Sequence, residues 1–182
     1  MYKIIETEIE GLLIIEPRVF KDTRGYFFES FNKKRAEYFL PETEFVQDNE
    51  SKSQYGVVRG LHYQVSPYAQ AKLVRVITGR IIDSVVDLRP GSKTYGECVQ
   101  VELSEENKRM LFVPKGFAHG YSVLSEEAIF FYKCDDYYSP DHEGGINPLD
   151  PSLNIDWGIP QDKMIISEKD EKLPHFGNQR KN

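Results

Sequence analysis

The chain is a succession of short apolar runs separated by Gly, Pro, Asp and Asn. Strand-like runs are read at Leu12-Glu16, Tyr26-Phe31, Phe45-Gln47, Val57-Tyr63, Lys72-Ile77, Ile81-Asp87, Glu97-Leu103, Met110-Val113, Gly120-Leu124 and Ala128-Cys134. Several alternate with the period of two that sends neighbouring side chains to opposite faces of a sheet. Val99, Val101 and Leu103 share one face, with Gln100 and Glu102 on the other. Turn signals fall between the runs, at Thr78-Gly79-Arg80, Arg89-Pro90-Gly91-Ser92 and Pro114-Lys115-Gly116. Helical signal is scarce: Asn32 can cap a short helix over Lys33-Phe39 that Pro41 ends, and Ser104-Asn107 reads as one capped turn. So many closely spaced short strands with so little helix predict an all-β sandwich or barrel. Beyond Tyr138, Pro140, Gly144, Gly145, Pro148, Pro151 and Pro160 break up regular structure. Ile146, Leu149, Leu153, Ile155 and Trp157 give that stretch apolar anchors, so it reads as an ordered wrapping segment. Residues 177–182 read as a fraying tail, which leaves residues 1–176 as one domain.

Composition narrows the class. A length of 182 residues suits one domain, at roughly 150 residues per domain. With 40% hydrophobic and 29% charged residues the chain reads as globular rather than disordered. Lys and Arg number 23 against 29 Asp and Glu, a net charge of -6, which argues against a broad basic surface for nucleic acid. No apolar run approaches the roughly 18 residues of a membrane helix. The start Tyr2-Lys3-Ile4-Ile5-Glu6 meets an acid too early for a secretory signal. Cys98 and Cys134 form no Cys-x-x-Cys pair, so the expected compartment is the cytoplasm with both thiols reduced.

Candidate chemistry begins with the histidines. His62 and His119 each lie beside a strand signal, in Arg59-Gly60-Leu61-His62-Tyr63-Gln64 and Pro114-Lys115-Gly116-Phe117-Ala118-His119. A barrel metal site needs two or three imidazoles with a carboxylate, yet Gln64 stands where a second strand ligand would follow His62. The expectation is no metal. No Gly-x-Ser-x-Gly elbow or glycine-rich phosphate loop occurs, so a bound nucleotide would rely on side-chain cations such as Arg24, Arg59, Lys72, Arg75 and Lys169. Taken alone, however, Lys72 suits a solvent face, Asp170 a solvated charge run, and Tyr132 ordinary packing in Phe130-Phe131-Tyr132.

Longer motifs go further. Asp22-Thr23-Arg24-Gly25-Tyr26-Phe27-Phe28-Glu29, Phe45-Val46-Gln47-Asp48-Asn49, Arg59-Gly60-Leu61-His62-Tyr63-Gln64 and Ala71-Lys72-Leu73-Val74-Arg75-Val76 resemble the dTDP-4-dehydrorhamnose 3,5-epimerase family. Pro114-Lys115-Gly116-Phe117-Ala118-His119-Gly120, Tyr132-Lys133-Cys134-Asp135-Asp136-Tyr137-Tyr138, Leu153-Asn154-Ile155-Asp156-Trp157 and Ile166-Ser167-Glu168-Lys169-Asp170 continue the likeness in the same order. The resemblance implies a cupin-type double-stranded β-helix (jelly-roll) barrel with no cofactor and no metal. It also implies a homodimer with exchanged N-terminal strands, acting on a dTDP-sugar rather than on nucleic acid or a membrane.

By that resemblance His62 is a base oriented by Asp170, Lys72 the cation beside a developing enolate oxygen, and Tyr132 the proton donor from the opposite face. A histidine titrates near working pH and a phenol holds its proton, so the residue types suit those roles. Arg24, Glu29, Gln47, Asn49, Arg59, His119, Glu143 and Lys169 match the family's substrate-contacting positions. Tyr138 matches its thymine-stacking aromatic, Phe27 lies in the same nucleotide-contacting segment, and Asp83 matches a site carboxylate. Ala71, where Gly is expected, and Pro148, where Trp is common, depart from the pattern, and Pro148 is expected to alter the sugar-pocket wall. A 3-epimerase is the alternative activity, and a non-catalytic sugar-nucleotide-binding cupin is the alternative class.

Overall fold

The computed structural model describes residues 2–181. Its strands, in chain order, are β1 Lys3–Glu6, β2 Leu13–Glu16, β3 Phe20–Asp22, β4 Gly25–Phe27, β5 Gln47–Gln54, β6 Val57–Gln64 and β7 Lys72–Thr78. They continue with β8 Arg80–Asp87, β9 Cys98–Ser104, β10 Met110–Val113, β11 Phe117–Val123, β12 Glu127–Cys134, β13 Glu143–Gly145 and β14 Ile165–Ile166. Two one-turn helices, α1 Lys33–Ala36 and α2 Glu168–Glu171, complete the set with 3-10 turns at Pro140–His142 and Gln161–Lys163. One sheet runs β1-β2-β10-β7-β12-β5 and the other β13-β6-β11-β8-β9, with β14 parallel to β6. The remaining pairings are antiparallel, and most strand neighbours are distant in sequence, as in a jelly roll.

The inward faces of the two sheets form the main core. Val74, Val76 and Leu111 of the first sheet meet Ile81, Val85 and Val123 of the second, and Phe130 is wholly buried among them. Burying each such side chain contributes about 1.5–3 kcal/mol. The stretch after Tyr138 wraps the outside of the second sheet, where Ile146, Leu153, Trp157 and Ile159 pack on Val58, Leu61, Val86 and Ala118. Leu149 differs from the expected anchor set: it is exposed, because Asn147 caps a turn that points it outward. Within the tail expected to fray, Gln179 is buried and its amide donates to Tyr95 Oη at 3.0 Å, while Gly177, Asn178, Arg180 and Lys181 are exposed. Asn182, the end of that tail, lies outside the described residues.

Asn32 caps α1 as its side chain accepts from the Arg35 N–H, although the helix stops at Ala36, short of Phe39. Strand β4 stops at Phe27 instead of reaching Phe31, and pairs only with β3 as a separate ribbon. No described helix is long and apolar enough to cross a membrane.

Candidate active site

Between the two sheets opens a cavity of about 630 Å³, inside the range of small-molecule sites. Strands β6 and β11 supply one wall with His62 and His119, which are register partners. Strands β5, β7 and β12 supply the opposite wall with Asn49, Lys72 and Tyr132. Side chains predicted from motifs far apart in the chain therefore converge on one cavity, from both of its walls.

Gly60 lets the first wall close up. Its φ is +123°, and a Cβ there would fall 2.6 Å from Gly120 Cα. Only glycine tolerates that backbone and that approach between β6 and β11. Two residues on, His62 Nε2 lies 2.7 Å from Asp170 Oδ1. Asp170 is buried, and its other oxygen accepts from the Gly60 N–H at 3.3 Å. Ser167 caps α2 by accepting from the Asp170 N–H at 3.1 Å, which fixes the carboxylate beneath the imidazole. Burial alone would raise the Asp170 pKa. The hydrogen bond and charge of His62, with the Gly60 N–H and Ser167, outweigh that and hold it below the ordinary carboxylate value. An ionised carboxylate only accepts, so Nε2 carries the hydrogen in this contact, and the other ring nitrogen is the one that serves as a base when the ring is neutral. Asp170 is thus no solvated charge, as its sequence context alone suggested.

His119 repeats the arrangement deeper in the barrel, with Nε2 2.9 Å from Oδ2 of the fully buried Asp83. On the opposite wall, burial pushes the Tyr132 phenol up to about 12. Its proton is therefore held at any working pH. Lys72 Nζ lies 5.8 Å from the Tyr132 ring centroid. Burial drives the Lys72 ammonium below the ordinary lysine pKa, while Cys134, Asp83 and Glu143 pull the other way.

Glu143, Tyr138 and Gln47 do not line the cavity but are joined by hydrogen bonds to Lys169 and Asn49, which do. Glu143 Oε2 accepts from Lys169 Nζ at 2.7 Å and from Tyr138 Oη at 3.3 Å, and the Tyr138 N–H donates to Gln47 Oε1 at 3.0 Å. Gln47 in turn donates to Asn49 Oδ1 at 3.1 Å. Arg59 lines the cavity and donates from Nε to Ser53 Oγ at 3.1 Å.

Three predicted residues stay apart. Arg24 and Phe27 sit on the β3–β4 ribbon around a separate surface hollow, where Arg24 Nη2 pairs with Asp22 Oδ2 at 2.5 Å. Glu29 holds Asn32 and Arg35 beside α1. Pro148 and Ala71 are also absent from the cavity wall. Pro148 is buried with its carbonyl accepting from Trp157 Nε1 at 2.9 Å, and Ala71 pairs through its N–H with Asp135 Oδ1 at 2.6 Å.

Sequence reasoning missed Ser51 and Tyr121. Both line the cavity, their hydroxyls are 2.9 Å apart, and Tyr121 stacks on Phe130 with ring centroids 4.3 Å apart. Strand alternation was the available signal: Ser51 shares a face with Gln47 and Asn49, as Tyr121 does with His119.

No group of three His, Cys, Asp or Glu side chains suited to a metal occurs among the described residues. Gln64 is committed elsewhere: it donates to the Tyr68 and Tyr137 carbonyls at 2.6 and 3.2 Å and accepts from the Ser139 N–H at 2.7 Å.

Comparison with known proteins agrees with this arrangement over nearly the whole chain. The family model for dTDP-4-dehydrorhamnose 3,5-epimerase matches residues 6–178. A dTDP-4-dehydrorhamnose 3,5-epimerase of Shigella flexneri is 54% identical over 168 residues, 92% of each chain. The solved epimerase of Legionella pneumophila in complex with dTDP-4-keto-L-rhamnose is 51% identical with a TM-score of 0.92, covering 96% of this chain and 93% of that one. A 3'-monoepimerase of Streptomyces bikiniensis in complex with dTDP-quinovose is 32% identical with a TM-score of 0.86, covering 93% and 85%. With its fold and its sequence both matching over nearly the whole chain, the protein belongs to the dTDP-4-dehydrorhamnose 3,5-epimerase family.

Proposed function

We propose that the protein converts dTDP-4-dehydro-6-deoxy-D-glucose to dTDP-4-dehydro-L-rhamnose by inverting C3 and C5, in dTDP-L-rhamnose biosynthesis. The observation that carries this reading is the placement of His62 and Tyr132 on opposite walls of one cavity. Inversion needs that geometry, since a proton removed from one face must return to the other. The C4 ketone acidifies the hydrogens on both neighbouring carbons. His62 removes one, and Asp170 stabilises the imidazolium that forms. The electron pair passes to the C4 oxygen, where the Lys72 ammonium stabilises the enolate in a desolvated setting. Tyr132 then delivers a proton to the far face of the carbon. Both centres give the same kind of C4 enolate, so one base, one cation and one acid serve both if, between the events, the sugar ring is repositioned, His62 releases its proton to water and Tyr132 takes one back.

Tyr138 is read as the surface on which thymine stacks, with Gln47, Asn49, Glu143 and Lys169 around it. Arg59 and His119 complete the substrate contacts from the β6–β11 wall, and Asp83 orients His119. Arg24, Phe27 and Glu29 reach the site of a second subunit through exchanged N-terminal strands, which makes the working form a homodimer. The site is read as free of metal and cofactor, and the enzyme as cytoplasmic. Burial pushes both Cys98 and Cys134 up to about 11, which suits thiols that stay reduced and unreactive.

Turnover in heavy water, read by NMR of the product, tests the proposal. Deuterium is expected at C3 and C5, no turnover is expected from His62→Ala, and Tyr132→Phe should retain exchange while forming little L-configured sugar. The likeness to a 3'-monoepimerase makes one outcome specific: label confined to C3 with C5 uninverted would make this a 3-epimerase.

A further inference from the structure

The end of the chain grips the loop that carries Tyr138 and Glu143. Phe176 packs on Tyr95 with ring centroids 5.4 Å apart, and Gln179 is buried with its amide on Tyr95 Oη. This fixes the segment against the outside of the barrel. Arg180 follows. Its carbonyl accepts from the Tyr63 phenol, and its Nη1 donates to the Asp141 carbonyl at 2.5 Å. Asp141 lies in the 3-10 turn Pro140–His142, directly between Tyr138 and Glu143.

Tyr63 reaches the same loop from below. It is the register partner of Gly144, and a Cβ on Gly144 would fall 2.6 Å from Tyr63 Cζ, so the ring lies flush under β13. From the other side Gln64 holds the Tyr137 carbonyl and the Ser139 N–H. The loop is thus pinned inside by Gln64 and outside by Arg180 and Tyr63. Neither Arg180 nor Tyr63 lines the cavity.

We infer that the C-terminal segment, through Arg180 and Tyr63, is a positioning clamp that presets the wall formed by Tyr138 and Glu143 for the nucleotide. Tyr138 is 53% exposed and its hydroxyl is held only by Glu143 of the same loop, so its ring direction depends on the loop beneath it. A wall ordered before binding loses less freedom when the nucleotide arrives, which is gained as affinity. Because the clamp touches no reacting atom, its loss raises Kd and KM together and spares kcat. The inference rests on the reading of Tyr138 as the nucleotide-stacking residue.

Calorimetric titration with dTDP, together with steady-state kinetics, separates the two. Arg180→Ala is expected to weaken dTDP binding and raise KM by about fivefold to tenfold, with kcat within about twofold of wild type. Arg180→Lys should recover part of the loss, since an ammonium also donates to the Asp141 carbonyl. Tyr63→Phe should behave like Arg180→Ala, and the double variant should be little worse than either, as expected for one coupled device. Tyr138→Ala is the reference. If it weakens dTDP binding while Arg180→Ala and deletion of residues 177–182 do not, the clamp is overturned and the nucleotide wall stands. If Tyr138→Ala binds dTDP like wild type, the wall fails and the clamp with it. A fall in kcat at unchanged KM in Arg180→Ala also overturns the clamp.

Discussion

Lys72 shows how much a residue's surroundings decide what it does. An exposed lysine keeps its proton to about pH 10.4, but desolvation lowers that value here despite the nearby Asp83 and Glu143. The sign follows directly: as pH rises, Lys72 loses its charge before an ordinary lysine would, and enolate stabilisation goes with it. Tyr132 cannot cause the same loss, because its phenol is pushed up to about 12. The profile of kcat/KM against pH should therefore turn down on the alkaline side below the ordinary lysine value. Lys72→Arg should remove that limb, since guanidinium stays charged, while lowering the rate through altered geometry. A limb that persists unchanged in Lys72→Arg would assign it to another group. Gln64 supports a second expectation at this scale. Its amide is fully engaged with the Tyr68, Tyr137 and Ser139 backbone, so His62 has no strand-mate to share a metal. Activity should survive exhaustive chelation with no stoichiometric transition metal in the protein, and metal-restored activity after chelation would count against the proposed mechanism.

The element that holds Asp170 is a single helical turn, α2, and a turn that short has no stability of its own. Its Ser167 cap is the local device that keeps the carboxylate under His62. Ser167→Ala should cost about 1 kcal/mol of stability and reduce kcat more than it changes KM, because Lys169 is the one proposed nucleotide contact on that turn and the others stand on other elements. Thermal melting with steady-state kinetics checks this, and Ser167→Thr should restore both. Strands with apolar inward faces were legible in the sequence: β7, β8, β10 and β12 lie within a residue or so of the runs that predict them. Strand β5 was not. Gln47-Asp48-Asn49-Glu50-Ser51-Lys52-Ser53-Gln54 has no apolar residue, because its inward face lines the cavity instead of the core. β13 escaped notice because two of its three residues are glycines that fit against Tyr63 and Leu173. The His62–Asp170 pair spans 108 positions, so no local spacing rule could join them, and only resemblance to a family brought the two together.

At the scale of the whole molecule, the β3–β4 ribbon is the part that a single chain leaves unexplained. It pairs with no other strand among the described residues, and Phe20, Tyr26 and Phe27 are 51%, 56% and 70% exposed. Aromatic residues clustered in solvent mark a surface meant to be covered. Arg24, a proposed phosphate contact, stands on the same ribbon, away from the cavity that holds His62. Both facts fit a dimer in which each ribbon completes the neighbour's site. Mixed dimers test this. Arg24→Ala and His62→Ala should each be nearly inactive as pure proteins, assayed at substrate levels well below KM. In a dimer with one chain of each kind, the barrel of the Arg24→Ala chain keeps its histidine and receives an intact ribbon from its partner. The other site carries both defects. Random exchange makes half of the dimers mixed, each with one good site of two, so an equimolar mixture should recover about a quarter of wild-type activity. If each site were built within one chain, every site in a mixed dimer would keep one defect. The mixture would then stay as inactive as its components, and that result would remove the exchanged ribbon from the proposal.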